Sequence, residues 1–299
     1  MPTKEKSYYG PVYWLGVAAF VAPVFVAISV FQALPGPYTQ PDPNPDAAGV
    51  DQALWDYLLK TYVSNGLVDY DGLRRNHLFK TYLQQVGAAR PDALPTDNDR
   101  LAFYTNAYNA LVMNGVITHG ITDSVMNLAI DGAGFFDLKE HIVAGMTMSL
   151  NELEHKTIRP TFNEPRVHVT LVCAARSCPP IRPEAYTGAN IERQMEDQAV
   201  QFANSTKYVR YDASTNTLHL STILEWYGED FEAGGGYLAF LAERVEDATL
   251  RNAIQKAQSG GVNVVFNDYD WTLNAQKPRP GAGSGGKKTD FGSGSIPNE

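Results

Sequence analysis

The sequence predicts an α+β domain, rich in helix, with a small antiparallel sheet. Three observations point there. Apolar residues recur at helical spacing in several long stretches, and a few short runs alternate with period two between glycine, asparagine and proline. Those short runs do not take turns with the helices one for one, as a parallel βαβ sheet would require. With 44% of 299 residues hydrophobic, the chain has enough apolar material for one substantial core.

Taken in order, Ala53, Leu54, Tyr57, Leu58 and Tyr62 give the i, i+4 spacing of a first helix that ends near Asn65 and Gly66. A second helix is expected over 71–85. Thr96 with Asp99 three residues on suggests a cap, after which residues 101–118 run apolar as far as Gly120, a natural helix stop. Within that helix Asn106 and Asn109 interrupt an apolar stripe. Buried amides need partners, so they either tie down loops or face a polar cavity.

Residues 139–149 read as a hairpin about Gly145, with His141 on its first strand. Ser149 and Glu152 then form a capping box that opens a short helix, expected to stop near Ile158 because Pro160 follows. Glu154 falls among Leu150, Leu153, Thr157 and Ile158 on the apolar face. A carboxylate there calls either for a structural ion pair with Arg159 or Arg166, or for a role as orienter or acid/base beside a histidine such as His155.

The stretch RVHVTLVCAARSCPP, residues 166–180, holds one histidine and both of the chain's cysteines. Its alternation of Val167, Val169, Leu171 and Cys173 with His168, Thr170 and Val172 predicts a strand. Cys178 then lies on a turn stiffened by Pro179 and Pro180. Cys173 and Cys178 could instead close a small disulfide loop. The C-x-x-x-x-C spacing with scattered histidines fits no zinc site, and no cofactor motif is present. Downstream, an amphipathic helix is expected over 189–202, a strand pair over 208–211 and 217–220, a helix from Ser221 through Trp226, helix over 237–258 with a break near Asp247, and a late strand over 261–266.

The ends differ in composition from the middle. Lys4 and Lys6 precede an uncharged run over 14–34 that as a helix would span roughly 31 Å, the thickness of a bilayer core. It predicts a transmembrane anchor or uncleaved signal, with residues 1–13 in the cytoplasm and the rest on the periplasmic side. Residues 35–50 are proline-rich and read as a tether, 51–274 as the folded domain, and 275–299 as a disordered tail. A formal charge of -9 excludes a phosphate-tracking surface and hence non-specific nucleic-acid binding.

Four segments together, FYTNAYNALVMNGVI, SLNELEHKTIRP, RVHVTLVCAARSCPP and DYDWTLN, resemble the family known as domain of unknown function 547, found in bacteria and plants. The resemblance covers about 51–274. Its marked positions would fall on Asn106, Tyr108 and Asn109, on Glu154, His155 and Arg159, and on Arg166, His168, Ser177, Cys178 and Pro179. It implies, by analogy of fold, a likeness to papain-like or transglutaminase-like cysteine hydrolases.

The residues themselves allow a thiol enzyme. Such catalysis needs a thiolate, an imidazole to create it, a polar group to orient the imidazole, and donors for an oxyanion. Cys178, His168 or His155, Glu154 and Asn106 could fill those roles in a hydrolase or acyl transferase acting on an amide, with a peptide or cell-envelope fragment as substrate. Along a strand, however, His168 and Cys178 would stand roughly 20 Å or more apart unless the loop doubles back, leaving His155 as the rival base. The other reading is a non-catalytic, membrane-tethered binding or assembly module whose polar cluster is structural.

Overall fold

A buried 22-residue helix runs through the middle of the molecule, and the other elements are arranged around it. The computed structural model describes residues 42–276. The first three helices are α1 (Gln52–Tyr62), α2 (Tyr70–Arg75) and α3 (His77–Ala88), and the central one is α4 (Asp97–Thr118). The single helix expected over 71–85 is two, because the Asn76 side chain accepts from Leu78 N–H and starts a new helix there. Between α1 and α2 a minimal hairpin pairs β1 (Val63–Ser64) with β2 (Leu67–Val68). Its turn residue Gly66 has φ +73° and sits so close to Pro180 that a Cβ would lie 2.4 Å from that ring, so only glycine fits.

Thr96 caps α4 as expected, its side chain accepting from Asp99 N–H. Fourteen of the helix's residues are buried, including Thr105, Asn106 and Asn109, so it is covered on nearly every side. Beyond it come two small hairpins. One pairs β3 (Ala129–Ile130) with β4 (Ala133–Gly134); the other pairs β5 (His141–Val143) with β6 (Met146–Met148). The second is the hairpin expected about Gly145, with Ala144 and Gly145 both at positive φ.

The capping box of Ser149 and Glu152 opens α5 (Leu150–Glu152). The helix does not stop at Ile158. It widens into a π turn over Leu153–Ile158, with the Arg159 N–H reaching back to Glu154 O, and continues as α6 (Arg159–Phe162). The wider turn is what accommodates Pro160, whose ring would clash with the carbonyl four residues back in an α-helix.

The strand predicted over 166–173 does not form. Residues Pro165–Val169 make a 3₁₀ helix, and the Thr170 and Leu171 N–H groups both return to Val167 O. Val167 through Val172 are all buried, so the period-two pattern that suggested a strand had no exposed face to report. After this come α7 (Ile191–Ala203), β7 (Val209–Asp212), β8 (Thr217–Leu220), α8 (Ile223–Trp226), α9 (Gly236–Arg244), α10 (Ala248–Gln258) and β9 (Asn263–Phe266). The break near Asp247 is real, and Asp247 caps α10. The strands form a three-stranded sheet in which β7 pairs antiparallel with β8, and β9 adds parallel to β8.

Two apolar clusters result. One surrounds α4; the other joins α7, α9 and α10 to the sheet. Val167, Leu171 and Val172 belong to the first and Val169 to the second, which puts the 165–172 segment on the seam. The folded chain begins before residue 51, since Ala48 and Val50 are buried, and it extends past 274, where Gln276 N–H bonds Val68 O.

The expectation of a single-pass membrane protein with its domain on the periplasmic side is corrected. Among the described residues no helix is long and apolar enough to cross a membrane. The run at 14–34 and the tail beyond 276 lie outside the described residues.

Candidate active site

Because the chain turns back on itself after Val169, His168 and both cysteines line one narrow cavity of about 50 Å³. The distance objection to pairing His168 with Cys178 came from a strand that is not there. Asn109 holds the fold-back in place: its Nδ2 donates to Thr170 O at 3.0 Å, and its Oδ1 accepts from Val172 N–H at 2.9 Å. The loop 174–177 is then strapped to residues 270–274. Arg176 N–H bonds Thr272 O, Ser177 N–H bonds Asp270 O, and the Asp270 N–H donates to Ser177 Oγ. Below it Lys207 Nζ donates to Arg176 O at 2.5 Å, and Tyr208 OH donates to Cys178 O at 3.0 Å.

Cys173 and Cys178 are free thiols. The Cys173 N–H donates to Cys178 Sγ at 3.1 Å, and Cys173 Sγ lies 3.0 Å from the Tyr269 hydroxyl. Burial works against a thiolate at Cys178, but hydrogen bonds from the Cys173 thiol and N–H and from Tyr269, with the charge of Lys207, hold it below the ordinary thiol range. Cys173 moves the other way, pushed up by burial and by its neighbour. Of the two sulfurs, Cys178 is therefore the one prepared to lose its proton.

His168 is buried, and its Nε2 lies 2.7 Å from Asp230 Oδ2. Asp230 is in turn gripped by Arg159, through Nε at 2.7 Å and Nη2 at 2.8 Å. Burial would raise the Asp230 carboxyl, but the His168 and Arg159 hydrogen bonds hold it well below the usual carboxylate range. An ionised Asp230 fixes the proton of His168 on Nε2. The other nitrogen, Nδ1, is buried and has no hydrogen-bond partner. The Tyr227 ring stacks on the imidazole at 3.9 Å between centroids and packs beneath Arg159, locking both.

The remaining expected site residues separate. Glu154 is buried and lines the cavity, but it neither orients a histidine nor pairs with Arg159 or Arg166; its Oε2 accepts from Tyr108 OH at 3.0 Å. Arg159 serves Asp230, and Arg166 binds Glu164 and Glu192. His155 does not line the cavity. Its Nδ1 accepts from Arg159 Nη1 at 2.5 Å, which makes it a prop for the arginine rather than a base. Asn106 is elsewhere too: its amide N–H groups go to Gln52 Oε1 and Tyr186 O, and its Oδ1 accepts from Tyr186 N–H. It ties a loop and has no donor left for an oxyanion. His141, buried on β5, is also away from the cavity.

Asp230, Tyr227, Lys207 and Tyr269 were not found from sequence. Asp230 lies 62 residues from its histidine, and nothing local in the stretch Tyr227–Gly228–Glu229–Asp230 marks it.

Burial holds both His141 and His155 below the ordinary value of 6.5, so each takes up a proton less readily in the fold than in the unfolded chain. Below 6.5 the unfolded chain then binds more protons than the folded one, and stability falls as pH drops from 7 toward 5. Melting temperatures across that range should decline, and His141→Asn should flatten the slope.

Fold and cavity define a helix-rich α+β protein with a thiol, an imidazole and a carboxylate converging on one cavity. Residues 91–203 match the family model described as "Protein of unknown function, DUF547". That match supports the family over the central part of the chain and contains the motifs at 103–117, 149–160 and 166–180, but it stops short of Asp230. No curated protein and no solved structure matches the chain.

Proposed function

We propose that the protein is a cysteine-dependent hydrolase or acyl transferase acting on an amide, with Cys178 as nucleophile, His168 as base and Asp230 as the group that orients the base. The observation that carries this reading is the chain of contacts from Arg159 through Asp230 to His168, which leaves the imidazole's free nitrogen in a residue that shares a cavity with Cys178. In the reaction the Cys178 proton passes to His168 Nδ1 as the sulfur–carbon bond forms. The same proton goes to the leaving amine as the carbon–nitrogen bond breaks. Water, or an acceptor amine, then cleaves the thioester and restores the thiol. Tyr269, kept protonated by burial and by the adjacent thiols, is the hydroxyl available to a developing oxyanion.

A nitrophenyl ester supplies a general acyl donor for the test. The protein should release a burst of nitrophenolate close to one equivalent per chain, with the acyl mass found on the Cys178 peptide. Cys173→Ala should keep the burst and Cys178→Ala should lose it. A burst that survives in Cys178→Ala would remove the reading.

One observation favours a second reading, a binding or assembly module with a structural polar cluster. Cys178 is buried, and its sulfur is held by Cys173, Tyr269 and Leu171 O, with no imidazole among its hydrogen-bond partners. In that case neither variant would change the nitrophenolate signal, and Cys178→Ala would only lower the melting temperature.

A further inference from the structure

We propose that the cavity binds a substituted ammonium group, the cationic end of an amine-bearing substrate, in an aromatic cage closed by Glu154. This deepens the reading above by naming the group that the substrate presents. Five rings form the wall: Phe136, Trp226, Tyr227, Tyr269 and Trp271. They hold one another in place, with Tyr269 4.6 Å from Trp271, Trp226 4.8 Å from Tyr269 and 5.9 Å from Trp271, and Phe136 6.3 Å from Trp271. Trp271 and Tyr269 reach the cavity because the strap of 270–274 onto 174–177 carries them over the cysteines.

The charges agree with a cation. Neither lysine nor arginine lines the cavity, and Glu154 is the carboxylate among its lining residues. That carboxylate forms no ion pair with any described residue; the cations nearby are engaged elsewhere, Arg159 with Asp230 and Lys207 with backbone carbonyls. A buried carboxylate held by the phenols of Tyr108 and Tyr227, with no cation in direct contact, has room for a counter-charge, and aromatic faces present the negative side of their quadrupole to a cation. A neutral apolar ligand would gain from the rings and leave Glu154 unanswered, and an anion would be repelled by it. The narrowness of the space favours a small head such as a methylated or primary ammonium.

Tetramethylammonium chloride, titrated into the full chain against sodium chloride at equal ionic strength, should give a saturable change in tryptophan fluorescence, since Trp226 and Trp271 are in the wall. tert-Butanol, similar in shape and uncharged, should bind about tenfold more weakly or worse, and Glu154→Gln should weaken tetramethylammonium by about tenfold. Trp226→Leu, checked by circular dichroism for an intact fold, should also weaken it. tert-Butanol binding as well as tetramethylammonium, or no saturable signal in the wild-type protein, would overturn the inference, and the comparison needs no variant to fold. A protein that gives the nitrophenolate burst and ignores tetramethylammonium loses the cage alone. One that binds tetramethylammonium without a burst keeps the cage and loses the thiol chemistry.

Discussion

Asp230→Asn is expected to slow acyl transfer to Cys178 by about a hundredfold or more, within the range seen when a histidine base loses its orienting carboxylate. The cause is the tautomer. Asp230 accepts from His168 Nε2 and from both donors that Arg159 turns toward it. An amide has one acceptor oxygen for those donors, and its N–H₂ group repels a second N–H. The imidazole proton is then driven to Nδ1, the nitrogen that must be free to take a proton from sulfur. Rate constants for the nitrophenolate burst in wild type and variant check this, with circular dichroism to confirm folding. Some stability is lost as well, about 1–3 kcal/mol, because Arg159 is left facing a neutral group. A variant that folds, and bursts at the wild-type rate, would mean that the Asp230 contact is structural.

Asn109→Ala is expected to cost about 2–5 kcal/mol of folding stability, measurable as a lower urea midpoint. Asn109 is 2% exposed and answers two backbone groups of the fold-back, Thr170 O and Val172 N–H. Removing its amide strands both in the interior, at roughly 1–3 kcal/mol each. Those bonds hold the four residues between His168 and Cys173 in their turn, so the burst should fall in parallel even where the variant is fully folded. A urea midpoint within experimental scatter of wild type would show that the fold-back is held by packing alone.

What sequence could and could not show follows from the range of each interaction. The Thr96 cap, the Ser149 and Glu152 capping box, the Gly145 hairpin and the Asp247 break are each set by residues within a few positions, and each is where the pattern put it. The 166–173 stretch failed for the opposite reason. Period-two alternation identifies a strand only when one face meets water, and here Val167 to Val172 are buried throughout. What shapes that stretch is Asn109, about sixty residues earlier, a residue visible in sequence only as an amide in need of partners. Pro160 misled in a similar way, since it would stop an α-helix but is admitted by the π turn over Leu153–Ile158, which no local signal marks. The thiol and the imidazole were legible because they are rare side chains close together in sequence. Asp230 lies 62 residues from His168, and the aromatic wall is gathered from Phe136, Trp226, Tyr227, Tyr269 and Trp271, so no local pattern could announce them.

The proposed reaction passes a proton from Cys178 to His168, and the rate of iodoacetamide capture at each cysteine as a function of pH tests it most directly. Peptide mass spectrometry resolves the two sites. Cys178 should react faster than Cys173 at neutral pH, with a midpoint below the ordinary thiol value of about 8.5, and His168→Asn should move that midpoint upward. Faster capture at Cys173, or a Cys178 profile that His168→Asn leaves unchanged, would contradict it.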